Sequence, residues 1–209
     1  MSIDVALQTT LDDQLVLDGT VADTLFREAR TANSFAAEEI SDETLQAVYA
    51  LAKMGPTAMN IQPLRITWVR SSEARERLVA HMMDGNKDKT RNAPMTAILS
   101  FDGDWHELLP TVFPPAAARR DMFAENEGIR TAMGNNNSHL QAGYFILAAR
   151  AAGLAAGPMT GFDAAGVDAE FNTESGHTAF MVVNLGKPGA AAAHPRLPRL
   201  EYDAATTTI

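Results

Sequence analysis

The run M-T-A-I-L-S-F at residues 95–101 decides the fold. It is apolar almost without a break, which predicts a central strand covered on both faces. A-F-M-V-V-N-L-G at 179–186 reads the same way, and R-I-T-W-V at 65–69 adds a further strand. Helices separate them. One of about 20–31 has Val21, Leu25, Phe26 and Ala29 on one face. Ser41-Asp42-Glu43 is an N-cap with acidic residues in the first turn, and the helix behind it carries Leu45, Val48, Tyr49 and Ala52 until Gly55-Pro56 ends it. A charged helix is expected over about 72–83. From Ser138 to Ala152, S-H-L-Q-A-G-Y-F-I-L-A-A-R-A-A is apolar nearly all round, the pattern of a buried central helix or one packed on a partner subunit. Gly143 and the alanines would let another backbone come close. Strands separated by helices, without the regular βαβ spacing of roughly 30 residues, predict an α+β fold.

A chain of 209 residues holds one sizeable core. We read residues 1–18 as an N-terminal extension and 19–209 as a single domain. Within it, 102–130 is an excursion with short helical pieces and a candidate lid, and 194–209 is a polar, proline-broken arm that either dangles or reaches across to something else.

Composition removes several classes of function. The net charge of −9 and the lack of a basic stripe argue against nucleic acid as a partner. Apolar runs fall short of the roughly 20 residues that span a bilayer, and M-S-I-D-V-A-L-Q has no basic n-region before an apolar stretch, so neither a membrane span nor a secretory leader is expected. With no cysteine there are no disulfides, thiolate metal sites or thiol redox chemistry. His81, His106, His139, His177 and His194 lack ligand spacing, so no metal site is expected. Phosphate-loop, dinucleotide-fold and nucleophile-elbow motifs are missing as well. A cytoplasmic enzyme or binding protein remains, and any hard chemistry falls to an organic cofactor.

Two loops suit such a cofactor. G-P-T-A-M-N-I-Q-P at 55–63 and G-L-A-A-G-P-M-T-G-F-D at 153–163 place small residues, proline and amides where apolar runs stop. Glycine and proline set unusual backbone, and an amide offers a donor and an acceptor in one plane. A loop of that kind can approach a flat polar heterocycle. Each loop taken alone reads as an ordinary turn closing a helix or entering a strand.

Taken in order with F-R-E-A-R-T-A-N-S-F, N-K-D-K-T-R-N-A-P-M-T-A-I, N-N-S-H-L-Q-A-G-Y and R-L-P-R-L-E-Y-D, these loops make the chain resemble the FMN-dependent nitroreductase family over roughly residues 20–203. The resemblance is strongest to the branch containing the malonic semialdehyde reductase of bacterial pyrimidine breakdown. It implies an α+β sandwich with a central, mostly antiparallel sheet flanked by helices. It also implies an obligate homodimer, two FMN molecules at the interface and a domain-swapped C-terminal arm.

The same resemblance distributes roles among residues. Arg30, Thr31 and Asn33 correspond to the segment that holds the flavin phosphate and ribityl chain, with Asn33 where a second cation is usual. Thr57, Asn60 and Gln62 belong to the loop at the flavin ring, with Asn60 on the ring edge. Pro158, Met159, Thr160 and Gly161 form the segment whose backbone N–H groups, at Thr160 and Gly161, lie near flavin N5. Arg199 matches a phosphate-binding basic residue, assisted by Arg196. No side chain is assigned as a catalytic acid, base or nucleophile.

The implied reaction is a ping-pong hydride transfer from NADH or NADPH, through flavin N5, to an aldehyde, quinone or nitro acceptor. Malonic semialdehyde, reduced to 3-hydroxypropionate, is the leading substrate by resemblance, with a broad nitro/quinone reductase as the alternative. For its carboxylate, Arg91, Lys87 and Arg130 are candidate cations. For its carbonyl oxygen, Asn135, Asn136, Asn137 and His139 are candidate donors. A flavin-binding protein without turnover and a helical interaction module are the readings outside that class.

Overall fold

The computed structural model describes residues 13–189 and 194–209. Four strands, β1 (Leu64–Val69), β2 (Met95–Phe101), β3 (Ala155–Met159) and β4 (Thr178–Gly186), form one sheet in the order β1-β2-β4-β3. Every pairing in it is antiparallel. The helices are α1 (Gly19–Ala22), α2 (Asp42–Ala52), α3 (Ser72–Ala80), α4 (Asp84–Arg91), α5 (Leu109–Val112), α6 (Arg119–Glu125), α7 (Glu127–Ala151), α8 (Ala164–Val167) and α9 (Tyr202–Ala205). The expected α+β sandwich forms.

All seven residues of β2 are buried, so it is covered on both sides as its sequence predicts. Met95, Ala97 and Leu99 meet Val183 and Leu185 of β4 beneath α2 and α7, where Leu45, Val48, Ala142 and Phe145 close the larger core. On the opposite face Ile98 and Val182 pack with Leu78 of α3 and Val167 of α8. That face also holds polar groups, and they are paired. Thr96 donates to Asn184 Oδ1 at 2.9 Å, and Asn184 Nδ2 donates to the Thr90 hydroxyl of α4 at 3.2 Å. A buried polar group left alone would cost about 1–3 kcal/mol, so this chain of contacts fastens α4 to the sheet.

Four expectations are corrected. The first helix is shorter than 20–31: α1 passes into a π-helical turn at Asp23–Arg27, Glu28 closes it, and Val21 and Phe26 are exposed. The charged helix of 72–83 ends at Ala80, and a separate helix, α4, follows with Thr90 as its buried residue. Tyr49 leaves the buried stripe of α2 for solvent. Residues 155–159, read as loop, are the edge strand β3, where Pro158 pairs with Val183 and Met159 is buried in the core. The Ser41 cap is present, its hydroxyl accepting from Thr44 N–H at 3.2 Å.

Of the N-terminal extension, residues 1–12 lie outside the described residues and 13–18 are exposed. The excursion packs as a small separate cluster. Trp105, Leu109 and Phe123 enclose Ile61, and Trp105 Nε1 donates to the Arg130 carbonyl at 3.0 Å. Beyond Arg196 the arm is exposed, with Leu197, Leu200 and Tyr202 turned to solvent. Leu140 and Tyr144 of α7 are exposed too, and nothing lies within 4 Å of a β-carbon placed at Gly143.

Candidate functional site

Residues 30–33 lie along the free edge of β3. Thr31 bridges Ala156 in parallel fashion, and Ala32 N–H donates to the Ala156 carbonyl at 3.0 Å. The approach is close enough that a β-carbon at Gly157 would collide with the Ala32 carbonyl. Glycine is therefore required in β3 at that point. The edge pairing delivers Arg30, Thr31 and Asn33 to one rim of the sheet.

Arg30 turns its Nη1 to the carbonyls of Arg27 and Ala29, at 2.8 and 3.1 Å. The same two carbonyls, with that of Phe26, receive Nη2 of Arg196. Carbonyls at the end of a helical turn carry partial negative charge, so they draw cations. The π-helical turn that sequence reading missed thus gathers two arginines that lie far apart along the chain. Arg199, whose Nη1 donates to the Leu197 and Pro198 carbonyls, lines the same cavity as Arg30 and Arg196. Two cavities open here, of about 550 and 400 Å³, sharing Ala29, Arg30, Asn33, Arg150 and His194.

The rim continues through α4 to the 160–163 loop. Lys89 Nζ stands 3.5 Å from Asn33 Oδ1. One turn earlier Asn86 Nδ2 donates to the Gly161 carbonyl at 2.8 Å, and Met83 N–H donates to it at 3.0 Å. Phe162 N–H returns to the Thr160 carbonyl at 3.1 Å, while among the described residues the Gly161 N–H has no protein acceptor. An unspent backbone donor on a loop pinned from behind can serve an incoming acceptor atom. Asn86 and Lys89 were given no role from sequence, although both stand in N-K-D-K-T-R-N. Their signal was the resemblance of that stretch, because a helix this polar has no periodicity to read.

Thr57, Asn60 and Gln62 lie elsewhere. Met59, Asn60 and Gln62 hold φ of 51°, 53° and 43°, left-handed values that residues with side chains rarely take. Such backbone persists only when its surroundings over-determine it, and here they do. Ala58 N–H donates to Asn137 Oδ1 at 2.7 Å, Gln62 N–H to the Thr57 hydroxyl at 3.2 Å, and Leu64 N–H to Gln141 Oε1 at 3.0 Å. Arg65 Nη1 donates to the Gln62 carbonyl at 3.0 Å while its Nη2 pairs with Asp102 at 2.6 Å. Asn60 Nδ2 donates to the Val112 carbonyl at 2.8 Å, which leaves its Oδ1 for another partner. Gln62 lines a separate cavity of about 380 Å³ with Tyr49, Lys53, Arg65, Leu108 and Val112. Gln62 and Arg30 therefore line separate cavities of the chain.

Five of the seven candidates for substrate binding, namely Arg91, Lys87, Arg130, Asn137 and His139, are engaged with protein. Arg91 pairs with Glu76 and Asp88, Lys87 pairs with Asp84, and Arg130 Nη1 donates to the Phe123 and Ala124 carbonyls. Asn137 braces the 57–62 loop. His139 contacts the Asn135 carbonyl at 2.9 Å and lies 4.4 Å, centre to centre, from the Phe180 ring.

Residues 26–187 match the Nitroreductase family. A Streptomyces coelicolor protein named "Putative NADH dehydrogenase/NAD(P)H nitroreductase" is 56% identical over 195 residues, which is 93% of this chain and 99% of that one. Among solved structures, an Exiguobacterium sibiricum "putative nitroreductase in complex with FMN" superposes with a TM-score of 0.78 at 19% identity, covering 93% of this chain and 99% of the other. A Staphylococcus epidermidis "putative NAD(P)H:FMN oxidoreductase" does so with a TM-score of 0.78 at 20% identity, covering 94% and 99%. At such identities the structural likeness speaks for the fold.

Proposed function

This chain belongs to the nitroreductase family, and from that premise we propose that it is an FMN-dependent NAD(P)H oxidoreductase acting on small oxidised acceptors. One observation carries the reading: Arg30 and Arg196 converge on the carbonyls of Arg27 and Ala29, beside Arg199 and Asn33. Guanidinium groups with nitrogens to spare suit a phosphate, so the residues present fit FMN. Arg30, Arg196, Arg199 and the Thr31 hydroxyl would hold the phosphate end. Asn33, Lys89 and Asn86 would follow the rest of the molecule along the rim. The Gly161 N–H, which has no protein acceptor among the described residues, would face the ring. When bound, FMN supplies two-electron chemistry, taking hydride from a reduced nicotinamide and giving it to the acceptor.

We also propose a cytoplasmic homodimer. The 57–62 loop stands apart from the arginine rim, and a second copy would bring its Asn60 to the first copy's flavin. Leu140, Tyr144 and the arm residues Leu197, Leu200 and Tyr202 are the apolar surface such a contact would bury.

For the acceptor, the relatives' names favour nitro compounds, whereas the resemblance read from sequence favours malonic semialdehyde. Its aldehyde carbon would take hydride and its oxygen a proton, giving 3-hydroxypropionate. Arg91 and Lys87 are already paired with carboxylates, and Arg130 donates one nitrogen to the Phe123 and Ala124 carbonyls, so of the three only Arg130 carries no ion pair among the described residues.

The test is a visible spectrum of the purified protein, followed by anaerobic NADH or NADPH and then each acceptor. Flavin bands that bleach with nicotinamide and return with a nitroaromatic or quinone support the broad reductase. Return with malonic semialdehyde at a comparable rate supports the narrower one. Bands that never bleach point to a flavin-binding protein without turnover, and failure to bind added FMN ends the flavin reading.

A further inference from the structure

Arg150 has been given no part in the site, yet it lines both cavities beside Arg30 and Asn33. It stands in the last turn of α7, and its Nη1 donates to the Leu25 carbonyl at 3.0 Å. Three guanidiniums therefore meet one row of carbonyls: Arg150 at residue 25, Arg196 at 26, 27 and 29, and Arg30 at 27 and 29. Each commits a single nitrogen to those carbonyls, so the other edges of the forks remain. Among the described residues lining the two cavities, Glu28 is the one carboxylate; it lies 3.8 Å from Arg30 and is largely in solvent.

We propose that Arg150 is a phosphate-binding residue of the flavin site, supplying from the C-terminal end of α7 the positive charge that Asn33 does not. The inference rests on the flavin reading above and adds a residue to it. Like charges gathered beside a cavity repel one another unless an anion enters. Arg150 shows that strain: burial, then the charge of Arg196, hold it below the usual guanidinium range. A dianionic phosphate would satisfy all three forks at once, and charge-assisted bonds of that kind are the strong ones. Arg150 and Asn33 border the same space, so the loss of charge at one is made good at the other.

The experiment compares FMN with riboflavin, which lacks only the phosphate, as ligands of the flavin-stripped protein. Arg150→Gln keeps a donor for Leu25 and removes the charge. It is expected to weaken FMN on the order of tenfold and to leave riboflavin unchanged. Arg150→Lys keeps the charge without the planar fork, and is expected to weaken FMN by about threefold, again sparing riboflavin. Equal weakening of both ligands in either variant would make Arg150 a tether for Leu25 and overturn the proposal. So would unchanged FMN affinity in both variants, or a wild-type protein that does not prefer FMN to riboflavin. A wild-type protein that binds neither flavin overturns the flavin reading itself, a result distinct from the others. Should the glutamine variant fail to fold, the lysine variant decides alone by the same comparison.

Discussion

Asn86 Nδ2 donates to the carbonyl of Gly161 at 2.8 Å, across 75 residues of sequence. The bond fixes the Gly161–Phe162 peptide next to the one that carries the unspent Gly161 N–H, and Asn86 packs closely against Gly161. A β-carbon at Gly161 would lie 2.6 Å from Asn86 Nδ2 and 3.3 Å from Met83 Sδ. Gly161→Ala must therefore push the Asn86 amide off the Gly161 carbonyl or turn the backbone here. We expect a loss of about 1–3 kcal/mol, with slower bleaching of bound flavin by NADH or NADPH in stopped-flow absorbance. Full-rate bleaching would show that this peptide does not matter to the reaction.

The 57–62 loop is held by Asn137, whose Nδ2 donates to the Met133 carbonyl at 2.8 Å and so turns its oxygen to Ala58 N–H. Asn137→Ala removes the brace from a loop with three left-handed residues. The expected loss is about 1 kcal/mol, with amide exchange accelerating first at residues 57–62. Uniform acceleration over the whole sheet would mean that the loop is not an independent unit.

His177 sits beside Asp102 and Arg65 at one end of the sheet. Burial lowers its affinity for a proton, Asp102 opposes the shift and Arg65 adds to it, and the balance falls below the ordinary 6.5. The unfolded chain then takes up this proton at a higher pH than the native one does. Stability from this group is unaffected above that range and declines as pH falls from about 6.5 toward the lowered native value. Thermal midpoints of His177→Gln should drop less than wild type between pH 7 and pH 5.5. Parallel curves would remove His177 as a source of acid sensitivity.

Arg196 ties the arm to the N-terminal segment, and the rest of the arm is exposed. Deleting residues 194–209 should weaken both self-association and flavin retention. Light scattering and the ratio of flavin to protein absorbance after gel filtration measure the two together. A truncated protein that stays associated and fully loaded would separate the arm from both properties.

Much of the fold was legible because it depends on burial. The apolar runs at 95–101 and 179–186 pointed to central strands, and Ser41 with its acidic followers to a helix start. What escaped had no apolar signal. α4 is polar on every side, and Thr90 is held by a hydrogen bond to Asn184, so no periodicity announces it. β3 contains glycine and proline, yet it forms because an edge strand tolerates a missing N–H. Met59, Asn60 and Gln62 adopt left-handed backbone through Asn137, Gln141 and Arg65, which are remote in sequence.

The candidate site divides along the same line. The resemblance of short segments to the family is what singled out Arg30, Thr31, Asn60, Gly161 and Arg199, because such likeness is carried by side-chain chemistry and local turns that short segments hold. Only tertiary structure could put Arg30, Arg150 and Arg196 on one row of carbonyls and leave Asn60 on a different surface. Hydrophobic patterning is repeated along the chain and tolerates error; a cluster of cations depends on the closure of long loops, which no single segment encodes.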